Sequence, residues 1–580
     1  MSRLKKALCS KAFWAGLGAT GVLLALWAHT ATITPILATD KVGDSRTVIN
    51  TNFTNLDAAG DLNTTHRGSN GSDHGFIDQD VTSGAAPVLD ATNFTNLAGG
   101  GTVQGTDATY DIQATNDGAT DGNARGENSL DLQTERSAAT MVVTSTHSVL
   151  CGGGDNTVGG GFGNSTIGGW GNNISGGNYN VLAGGFGNVV SEDHAFLGAG
   201  SSNVASGAKA VLVGGQSNVA SGAHSVVVGG ANTTATNTHS FVGGGSGGDA
   251  TGAGSVCVGG YNGTASGTTS FVGAGEDNTA SGTQRSVVVG GWNNTANQNY
   301  GTIVGGWTQL VSATHGFIGA GNQNTVSGDS ACVVAGGSNT ASGVTAFIGA
   351  GGSNTASTDY SVVCGGQTNE AKTNTHATVV GGLSNDATGQ YSFVGGGDTC
   401  TSSGTHSAVP GGDNNTASGA YSYAHGQEAV ANLHGQTAHA AGSFSAAGDA
   451  QSFKFEMRNQ TTDATVTSLF LDGSAARATI ASGTTWRIEM TVTARQTGGV
   501  AGTVGDSWSY KILCLIENTG GTTVVKLNNQ TVEYETDDAA FDAVVDATSS
   551  ATNDALDIDV TGAASKNVNW VAVIQGTQVQ

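Results

Sequence analysis

Paired glycines recur about every 15 residues through half of this chain, and no other feature restricts its fold as strongly. One unit runs from Asn203 to Gly215, and the next runs from Asn218 to Gly230 with nearly the same residues in the same order. Roughly nineteen such copies lie between Ser148 and Gly442. Self-similarity at a short, fixed period is typical of a solenoid, in which each unit packs on its neighbours.

Each unit has the parts of one coil with two short strands. A β-branched run such as Ser225-Val-Val-Val228 is typical of a strand. The glycine pair then turns the chain, since glycine reaches positive φ without steric cost. An Asn-x-Ala-Ser-Gly segment, as at Asn218, supplies the second strand and the second turn. Parallel stacking at about 4.8 Å per coil predicts a β-solenoid on the order of 90 Å long.

A column of alanines predicts that the core of this solenoid is thin. Alanine stands nine residues before the glycine pair in many units, at Ala205, Ala220, Ala235, Ala250, Ala265, Ala296, Ala341, Ala356 and Ala387. We expect these alanines to face larger residues of the opposite strand, such as Phe241, Phe271, Phe317, Phe347 and Phe393. Because such a coil buries little apolar area, we predict a homotrimer in which each chain covers one side of the others.

Two units near the end of the repeats carry a more specific pattern. Gly419-Ala-Tyr-Ser-Tyr-Ala-His-Gly426 and Gly435-Gln-Thr-Ala-His-Ala-Ala-Gly442 resemble the YadA-like head repeats of trimeric autotransporter adhesins. The resemblance covers about half of the chain. It implies a left-handed parallel β-roll of three chains, a role in attachment and no enzymatic activity in the head.

Composition and charge exclude several other classes of protein. The chain has 580 residues, of which 94 are Gly and only 3 are Pro, without the Gly-x-y period of collagen. Its net charge of −24 disfavours nucleic acid as a partner, because phosphates require a basic patch. A disordered Gly/Ser/Asn tract is an alternative, but the regular Val, Ile and Phe residues argue against it. A calcium-binding nonapeptide solenoid would have a shorter period. We therefore expect no metal and no cofactor.

The cysteines do not form a recognisable metal or disulfide pattern. Their positions are Cys9, Cys151, Cys257, Cys332, Cys364, Cys400 and Cys514. This spacing matches no zinc site. Cys257, Cys332 and Cys364 stand in apolar strand runs, so we predict that they are small buried hydrophobic residues.

Residues 1–38 have the pattern of a signal peptide or of a membrane anchor. Arg3, Lys5, Lys6 and Lys11 precede an uncharged apolar run that begins at Ala12. Cleavage near Ala38 and retention as an anchor through residues 12–38 both fit this pattern. Either outcome predicts that the remaining chain is extracellular or at the cell surface, with a virion tail as the alternative location.

Residues 39–145 are predicted to form an N-terminal stalk or attachment region. Ile49, Phe53 and Leu56 have the spacing of one face of a short helix, which we place at residues 44–56. The segment Asn52-Phe-Thr-Asn-Leu56 recurs at residues 93–97. Placed before such repeats, these segments resemble the proximal parts of phage tail-fibre proteins.

Residues 449–580 follow a different period. Phe453, Phe455 and Met457 alternate with charged residues, and Trp486, Ile488 and Met490 do the same. A period of two with turn clusters between the runs predicts an antiparallel β-sandwich. The layout resembles the distal tip domain of phage tail-fibre-like proteins. The predicted fold is thus all-β: a homotrimeric parallel β-roll or β-solenoid over residues 146–448, followed by a β-sandwich over residues 449–580.

One column of the repeat has a composition that suggests ligand contact. Five residues before the glycine pair stand aromatic, imidazole or cationic side chains, and the candidate ligand-binding residues are His194, His224, His239, Tyr300, His315, Tyr360, His376, Tyr391 and His406. Such groups stack on sugars and accept polar contacts. A ladder that flanks the turns and stabilises the stack explains the same pattern, and the two interpretations stay open.

An acidic cluster near the end of the chain allows three interpretations. Its members are Asp537, Asp538, Asp542, Asp546, Asp554, Asp557 and Asp559. Carboxylates bind calcium, and pairs of them hydrolyse glycosides. Here they lack the spacing of a calcium loop, and the alternation at Asp557 and Asp559 indicates a solvated strand face.

These features predict a non-enzymatic trimeric fibre that attaches to a cell-surface or host receptor, such as a glycan. The first hypothesis is a surface adhesin or structural attachment protein. The alternative is a phage tail-fibre protein with a C-terminal receptor-binding domain. A polysaccharide depolymerase is a minor alternative, because coils of 15 residues leave little wall for a catalytic cleft.

Overall fold

The computed structural model describes residues 101–106, 109–114, 126, 129–138, 140–166, 168–535, 544–550 and 552–580. The predicted signal peptide or anchor (1–38) and the predicted short helix (44–56) lie outside these residues. Within the described part of the chain, no helix is both long and apolar enough to cross a bilayer. The first described element is an antiparallel hairpin of strands Gly101–Thr106 and Thr109–Ala114, which adjoins Leu130–Asp131 through a parallel pair of Gln113 with Asp131.

The described residues fold as a parallel β-solenoid of about 21 turns, as the 15-residue period predicts. Two ladders of mostly two-residue strands run along it. The first ladder comprises Leu130–Asp131, Val149–Leu150, Ser165–Thr166, Val181–Leu182, Phe196–Leu197, Val211–Leu212, Val226–Val227, Phe241–Val242, Val256–Cys257, Phe271–Val272, Val287–Val288, Thr302–Ile303, Phe317–Ile318, Cys332–Val333, Phe347–Ile348, Val362–Val363, Thr378–Val379, Phe393–Val394, Ala408–Val409, Tyr423–Gln427 and Thr437–Ala441. The second ladder comprises Thr157–Val158, Asn173–Ile174, Val189–Val190, Val204–Ala205, Val219–Ala220, Thr234–Ala235, Asp249–Ala250, Thr264–Ala265, Thr279–Ala280, Thr295–Ala296, Leu310–Val311, Thr325–Val326, Thr340–Ala341, Thr355–Ala356, Glu370–Ala371, Asp386–Ala387, Thr401–Ser402, Thr416–Ala417 and Val430–Ala431.

A third ladder of single-residue bridges, absent from the sequence prediction, follows the glycine pairs. It begins with Glu135 and Gly154 and reaches Asp398 and Asp413. Its last strand, Gly412–Asp413, pairs with residues 426–427 of the first ladder. The second glycine of each pair directly precedes a bridge residue and has positive φ, as at Gly215 with φ +100°. A Cβ there would lie 2.2 Å from the carbonyl oxygen of Gly230 in the next coil, so glycine is required sterically as well as conformationally.

The core lies between the second residues of the two strands in each coil. Ala220 and Leu212, for example, are fully buried, and their columns continue through the solenoid. The prediction that phenylalanines face the alanines is wrong. Phe196, Phe347 and Phe393 are the first residues of their strands and are 36–38% exposed. Successive side chains of a strand point to opposite faces, so a buried second residue places the first one outside.

A ladder of buried asparagines stabilises the turn that leads into each second strand. Asn218 Nδ2 donates to the carbonyl oxygen of Gly214 in its own coil (3.0 Å) and to that of Gly230 in the next coil (2.9 Å). Its Oδ1 accepts from the backbone N–H of Thr233 in the next coil (2.9 Å), as Oδ1 of Asn203 accepts from the backbone N–H of Asn218 (3.0 Å). Both donors and the acceptor of the amide are therefore satisfied, as a buried polar side chain requires.

The cysteines of the strand runs occupy two different environments. Cys257 is buried and fills space beside Gly248 and Gly263, which stand at asparagine positions of the ladder. Cys364 is exposed, and Cys332 is partly exposed. The prediction that all three are buried is therefore wrong for Cys332 and Cys364, because Cys332 is the outward-facing first residue of its strand and Cys364 directly follows the buried Val363 at the end of a strand.

Residues beyond the solenoid form two packed antiparallel sheets, as the period of two predicts. The larger sheet has the strand order Ala450–Thr461, Lys566–Val579, Thr485–Gly499, Ser507–Asn518 and Thr523–Glu535. The smaller sheet has Ala555–Thr561 paired with Val466–Ser468, Ala478–Thr479 and Val544–Ser550. Their facing side chains form one core, which contains the buried Trp486, Trp508 and Trp570. The larger sheet continues into the solenoid, because Ala450–Thr461 pairs with Thr437–Ala441.

Candidate functional site

The predicted column of rings lies on the outside of the turn between the second and first ladders. We call it the ring column: His194, His224, His239, Tyr300, His315, Tyr360, His376, Tyr391 and His406. All nine have φ between 57° and 64°, and all are exposed except Tyr300, which is half-buried. Bulky side chains rarely adopt this left-handed conformation. It is held here because each backbone N–H bonds to the preceding coil, as His224 does to the carbonyl oxygen of Ala208 at 2.8 Å.

The register of the solenoid brings many of these rings into contact. The longest run begins at Tyr360, and its centroid distances are 4.8 Å to His376, 4.6 Å from there to Tyr391 and 4.9 Å from there to His406. Tyr421 continues this run at 4.9 Å from His406.

Shorter runs pair the remaining members. His224 stacks on His239 at 5.0 Å, and Tyr300 stacks on His315 at 4.7 Å. His194 is separated from His224 by Lys209 and contacts Tyr179 instead, at 5.4 Å. The nine members of the ring column therefore fall into four separate groups, one of which contains only His194, rather than into one continuous stripe.

Stacking limits what the ring column can offer to a ligand. Within a run, each inner ring is covered on both faces by its neighbours, as His406 is by Tyr391 and Tyr421. Ring edges, with their nitrogen and hydroxyl groups, and the outer faces of the end rings stay open. The geometry therefore allows hydrogen bonding along the column and ring stacking of a ligand only at the ends of runs.

A groove of about 480 Å³ lies where the solenoid joins the larger sheet. We call it the junction groove. Two rows of residues cross its strands in register: His439, Ser452, Thr577 and Arg487 in one row, and Thr437, Lys454, Gln575 and Glu489 in the other. Between the rows lies Gly576, where a Cβ would come within 2.7 Å of the Arg487 carbonyl oxygen and of Ile488. The added Cβ would also lie 3.0 Å from Phe453, so glycine at this position makes room for core side chains beneath the groove.

Among the described residues, not every charged side chain of the junction groove has an ion-pair partner. Glu489 forms an ion pair with Lys511, and Arg487 Nη1 donates to the carbonyl oxygen of Ile488 at 3.0 Å. Lys454 is exposed and forms no ion pair with any residue that the structure describes. Hydroxyl, amide and cationic groups therefore converge on one surface, which suits a polar ligand with many hydroxyl groups.

Two histidines stack at the solenoid side of the groove. His425 and His439 have centroids 4.7 Å apart, and His439 Nδ1 lies 3.3 Å from the His425 carbonyl oxygen. Burial lowers the pKa of His425, and the neighbouring His439 lowers it further. Nδ1 of His425 is buried without a hydrogen-bond partner among the described residues. His425 therefore binds a proton less favourably in the folded chain than in the unfolded chain.

The acidic cluster does not assemble into a site within the described residues. Asp537, Asp538 and Asp542 lie outside them. Asp557 forms an ion pair with Arg477, and burial raises its pKa while the guanidinium opposes that rise. Asp559 accepts a hydrogen bond from Ser468 at 2.6 Å. Among the described residues, no group of three or more His, Cys, Asp or Glu side chains could hold a metal ion.

Sequence reasoning missed the junction groove and a second exposed aromatic column. The groove joins residues that are more than a hundred positions apart, and strand order is not readable from the alternation of one strand. The second column follows the glycine pairs and includes Trp292 and Trp307. A sequence signal for it exists, since Trp292 and Trp307 follow the glycines in two successive units, and the same position holds Trp170, Phe186, Tyr261 and Leu383 in others.

Comparison with known proteins gives structural likenesses but no sequence relative. No family model and no curated protein matches the chain. The tailspike protein gp49 of Acinetobacter baumannii bacteriophage Fri1, a capsular polysaccharide depolymerase, is 7% identical, with 75% of this chain and 79% of that chain covered at a TM-score of 0.21. The tailspike of Acinetobacter phage vB_ApiP_P1 is 9% identical, with 68% and 81% covered at a TM-score of 0.19. The tailspike of Acinetobacter baumannii phage AM24 is 9% identical, with 77% and 76% covered at a TM-score of 0.16.

The comparison changes two predictions. The coarser resemblance, to phage tail proteins, agrees with these likenesses, whereas the resemblance to YadA-like head repeats stays a prediction. The prediction that the chain has no enzymatic activity is contradicted, because one of the tailspikes it is similar to is a depolymerase.

Proposed function

We propose that the chain is an extracellular attachment protein of the tail-fibre type, in which the solenoid is a spacer and residues 449–580 contact a glycan receptor. This proposal rests on the difference between the repetitive surface of the solenoid and the surface of residues 449–580. The solenoid presents nearly the same groups in every coil, which suits length and stiffness. The junction groove and the sandwich present groups that occur once, and unique surfaces on a rigid sheet are where recognition is usually built.

Two features of residues 449–580 support a receptor contact there. The junction groove combines Lys454 and Arg487 with hydroxyl and amide groups. At the far end of the same sheet, the loop between Gly499 and Ser507 carries Val500, which is 95% exposed, and Val504, which is 63% exposed. The aromatic residues of the sandwich are less suitable, because Trp486, Trp508 and Trp570 belong to the core.

The proposal includes a homotrimer. Exposed apolar side chains follow the first ladder, and Phe196, Val213, Val258 and Val334 are between 38% and 48% exposed. Contiguous apolar surface of this kind marks an interaction face on a soluble protein. Sedimentation equilibrium of a chain that begins at residue 39 is expected to give a trimer. A folded monomer at micromolar concentration would refute this part of the proposal.

Cell-binding measurements test the proposed receptor contact. The double variant Lys454→Ala/Arg487→Ala is expected to bind target cells about tenfold more weakly than the unchanged chain, since polar anchors of an interface carry much of its affinity. Lys526→Ala is the matched control, because Lys526 is exposed on the edge strand of the same sheet and lines neither the groove nor the loop. Equal binding by the double variant and the control would move recognition out of the groove. Chain-length analysis of the bound polysaccharide, run in parallel, shows whether binding is accompanied by cleavage.

A bacterial surface adhesin held through residues 12–38 is the second candidate, and the basic and apolar pattern of the N-terminus favours it. Immunogold electron microscopy separates the two locations. Label at the ends of phage particles supports the tail-fibre proposal. Label on the envelope of intact cells supports the adhesin.

A further inference from the structure

The residues that follow the glycine pairs form a second exposed column, and five of them make a distinctive surface. Tyr261, Glu276, Trp292, Trp307 and Asn322 are joined by consecutive parallel bridges, one residue per coil. Tyr261 is 51% exposed, Trp292 is 39% exposed and Trp307 is 55% exposed. At the ~4.8 Å spacing of neighbouring strands, these five positions span roughly 19 Å along the solenoid.

The fold does not require large rings in this column. Equivalent positions in other coils hold Ser246, Ala231, Gly337 and Gly352 with the same bridge pairing. At Gly337 and Gly352, an added Cβ would meet no atom closer than 3.8 Å, so the space outside is open. The repeats thus provide an internal control, and Trp292 and Trp307 are exposed apolar surface that packing does not explain.

The polar side-chain groups of this surface also lack hydrogen-bond partners among the described residues. Buried tryptophans of the sandwich have partners: Trp486 Nε1 donates to Gln578 and Trp570 Nε1 donates to Thr461. The indole N–H groups of Trp292 and Trp307 have no acceptor among the described residues, and the carboxylate of Glu276, unlike its backbone, has no hydrogen-bond or ion-pair partner there. Two donors and one acceptor therefore face solvent between aromatic rings.

The orientation of the two indoles differs from that in the ring column. Their centroids are 5.3 Å apart, but their planes are inclined at 84°. Edge-to-face contact leaves indole faces open, whereas the parallel stacking of the ring column covers the inner faces. Open aromatic faces flanked by hydrogen-bonding groups bind molecules that have both apolar C–H faces and hydroxyl groups.

We propose that Tyr261, Glu276, Trp292, Trp307 and Asn322 form a binding site for an uncharged polysaccharide that lies along the solenoid axis. Sugar rings offer C–H faces to the aromatic side chains and hydroxyl groups to Glu276, Asn322 and the indole N–H groups. A polyanion is disfavoured by Glu276, by the neighbouring Asp277 and by the net charge of −24. The site rests on the proposed function for the class of ligand, but it lies on the solenoid rather than at the junction groove.

Binding of purified polysaccharides to immobilised full-length chain tests this site. The probes are dextran and galactomannan as uncharged polymers, and alginate and hyaluronate as polyanions. The unchanged chain is expected to bind at least one uncharged polymer, and Trp292→Ala/Trp307→Ala is expected to weaken that binding about tenfold or more. Trp170→Ala/Phe186→Ala is the matched control, because these two exposed rings occupy the same column in coils near the start of the solenoid. Matching circular dichroism and unfolding temperatures verify that all variants are folded.

Three results would overturn the proposal. The first is equal binding by Trp292→Ala/Trp307→Ala and the unchanged chain. The second is binding of the polyanions only, or of none of the four polymers. The third is a change in the sedimentation behaviour of Trp292→Ala/Trp307→Ala, which would assign the indoles to a contact between chains. Loss of cell binding in the Lys454→Ala/Arg487→Ala variant is a separate readout, so the two proposals can fail independently.

Discussion

The side-chain amide of Gln451 pairs with the backbone of Val430 as a neighbouring strand would. Gln451 Oε1 accepts from the Val430 N–H at 2.8 Å, and its Nε2 donates to the Val430 carbonyl oxygen at 3.0 Å. Val430–Ala431 is the last strand of the second ladder, and Gln451 belongs to the first strand of the sandwich. One side chain therefore closes the edge that the final coil would otherwise present.

Replacing Gln451 with Ala should destabilise the end of the solenoid. Both backbone groups of Val430 would lose their partner at a partly buried position, at a cost of about 1–3 kcal/mol. Urea unfolding measures this loss. Gln451→Glu is the informative comparison, since it keeps an acceptor for the Val430 N–H and removes the donor. Unchanged stability in Gln451→Ala would mean that water replaces the amide without cost.

The two glycines of a pair should respond very differently to alanine. Gly215→Ala places a Cβ at 2.2 Å from a carbonyl oxygen and imposes φ +100° on a residue with a side chain. Such a clash is expected to cost more than roughly 3 kcal/mol. Gly214→Ala is the matched control, because its Cβ would come no closer than 3.5 Å to another atom. Thermal unfolding of the two variants compares them. Similar unfolding temperatures would contradict the stacking geometry.

This difference shows how far the sequence could be read. The glycine pairs revealed the period, but both members of a pair look alike, and only the contact with the next coil separates Gly214 from Gly215. The alternation of Phe453, Phe455 and Met457 predicted a sandwich strand without revealing that its neighbours are Thr437–Ala441 and Lys566–Val579. The junction groove therefore could not be predicted from the sequence.

The ring column was easier to predict than its contacts. Exact spacing placed the rings above one another, and this is what the structure shows. The predicted inward orientation of the Phe241 side chain and of its equivalents was wrong. A strand of two residues is too short for its alternation to show which side chain faces the core. The buried amide ladder of Asn203 and Asn218 also needed the structure, since Asn in a turn is usually solvated.

Ring stacking should make a measurable contribution to stability. His406 lies between Tyr391 and Tyr421 at 4.9 Å from each. His406→Asn removes the ring and keeps a residue that tolerates positive φ, and the loss should be about 1 kcal/mol, given roughly 0.5–1.5 kcal/mol for a ring pair. Thr269→Asn, in the same column at φ +53° between Gly254 and Arg285, is the control without a ring neighbour. Equal unfolding temperatures for the two variants would show that the column does not stabilise the stack.

Acid should destabilise the junction through His425. Its pKa lies below the ordinary value of 6.5 in the folded chain because of burial and the nearby His439. The unfolded chain therefore binds the proton at higher pH than the folded chain, and stability is lost as the pH falls below about 6.5. Unfolding temperatures at pH 7.5 and pH 5.5 measure this loss. His425→Gln should show a smaller drop, and an identical drop would assign the effect to other groups.

Thiol labelling should separate two classes of cysteine in a Cys9→Ser chain. Cys151 and Cys364 are exposed and are expected to react with Ellman's reagent in the folded protein. Burial raises the pKa of Cys257 to about 11 and that of Cys514 to about 11, so these thiols should react only after unfolding. Rapid reaction of Cys257 in the folded chain would contradict its place in the core. Protection of Cys364 would indicate that another chain covers the first ladder.

The uniform register of the solenoid creates an alignment problem that the coils cannot solve alone. A chain displaced by one whole coil, against itself during folding or against another copy, would meet almost the same residues again. Coils with an extra residue, such as those that pair Phe271 with Val287 and Val362 with Thr378 sixteen positions apart, break this translational symmetry. These longer coils fix the register, because only one alignment superimposes all of them. Removing one such residue would make that coil equal in length to its neighbours and would allow the chain to pair one coil out of register.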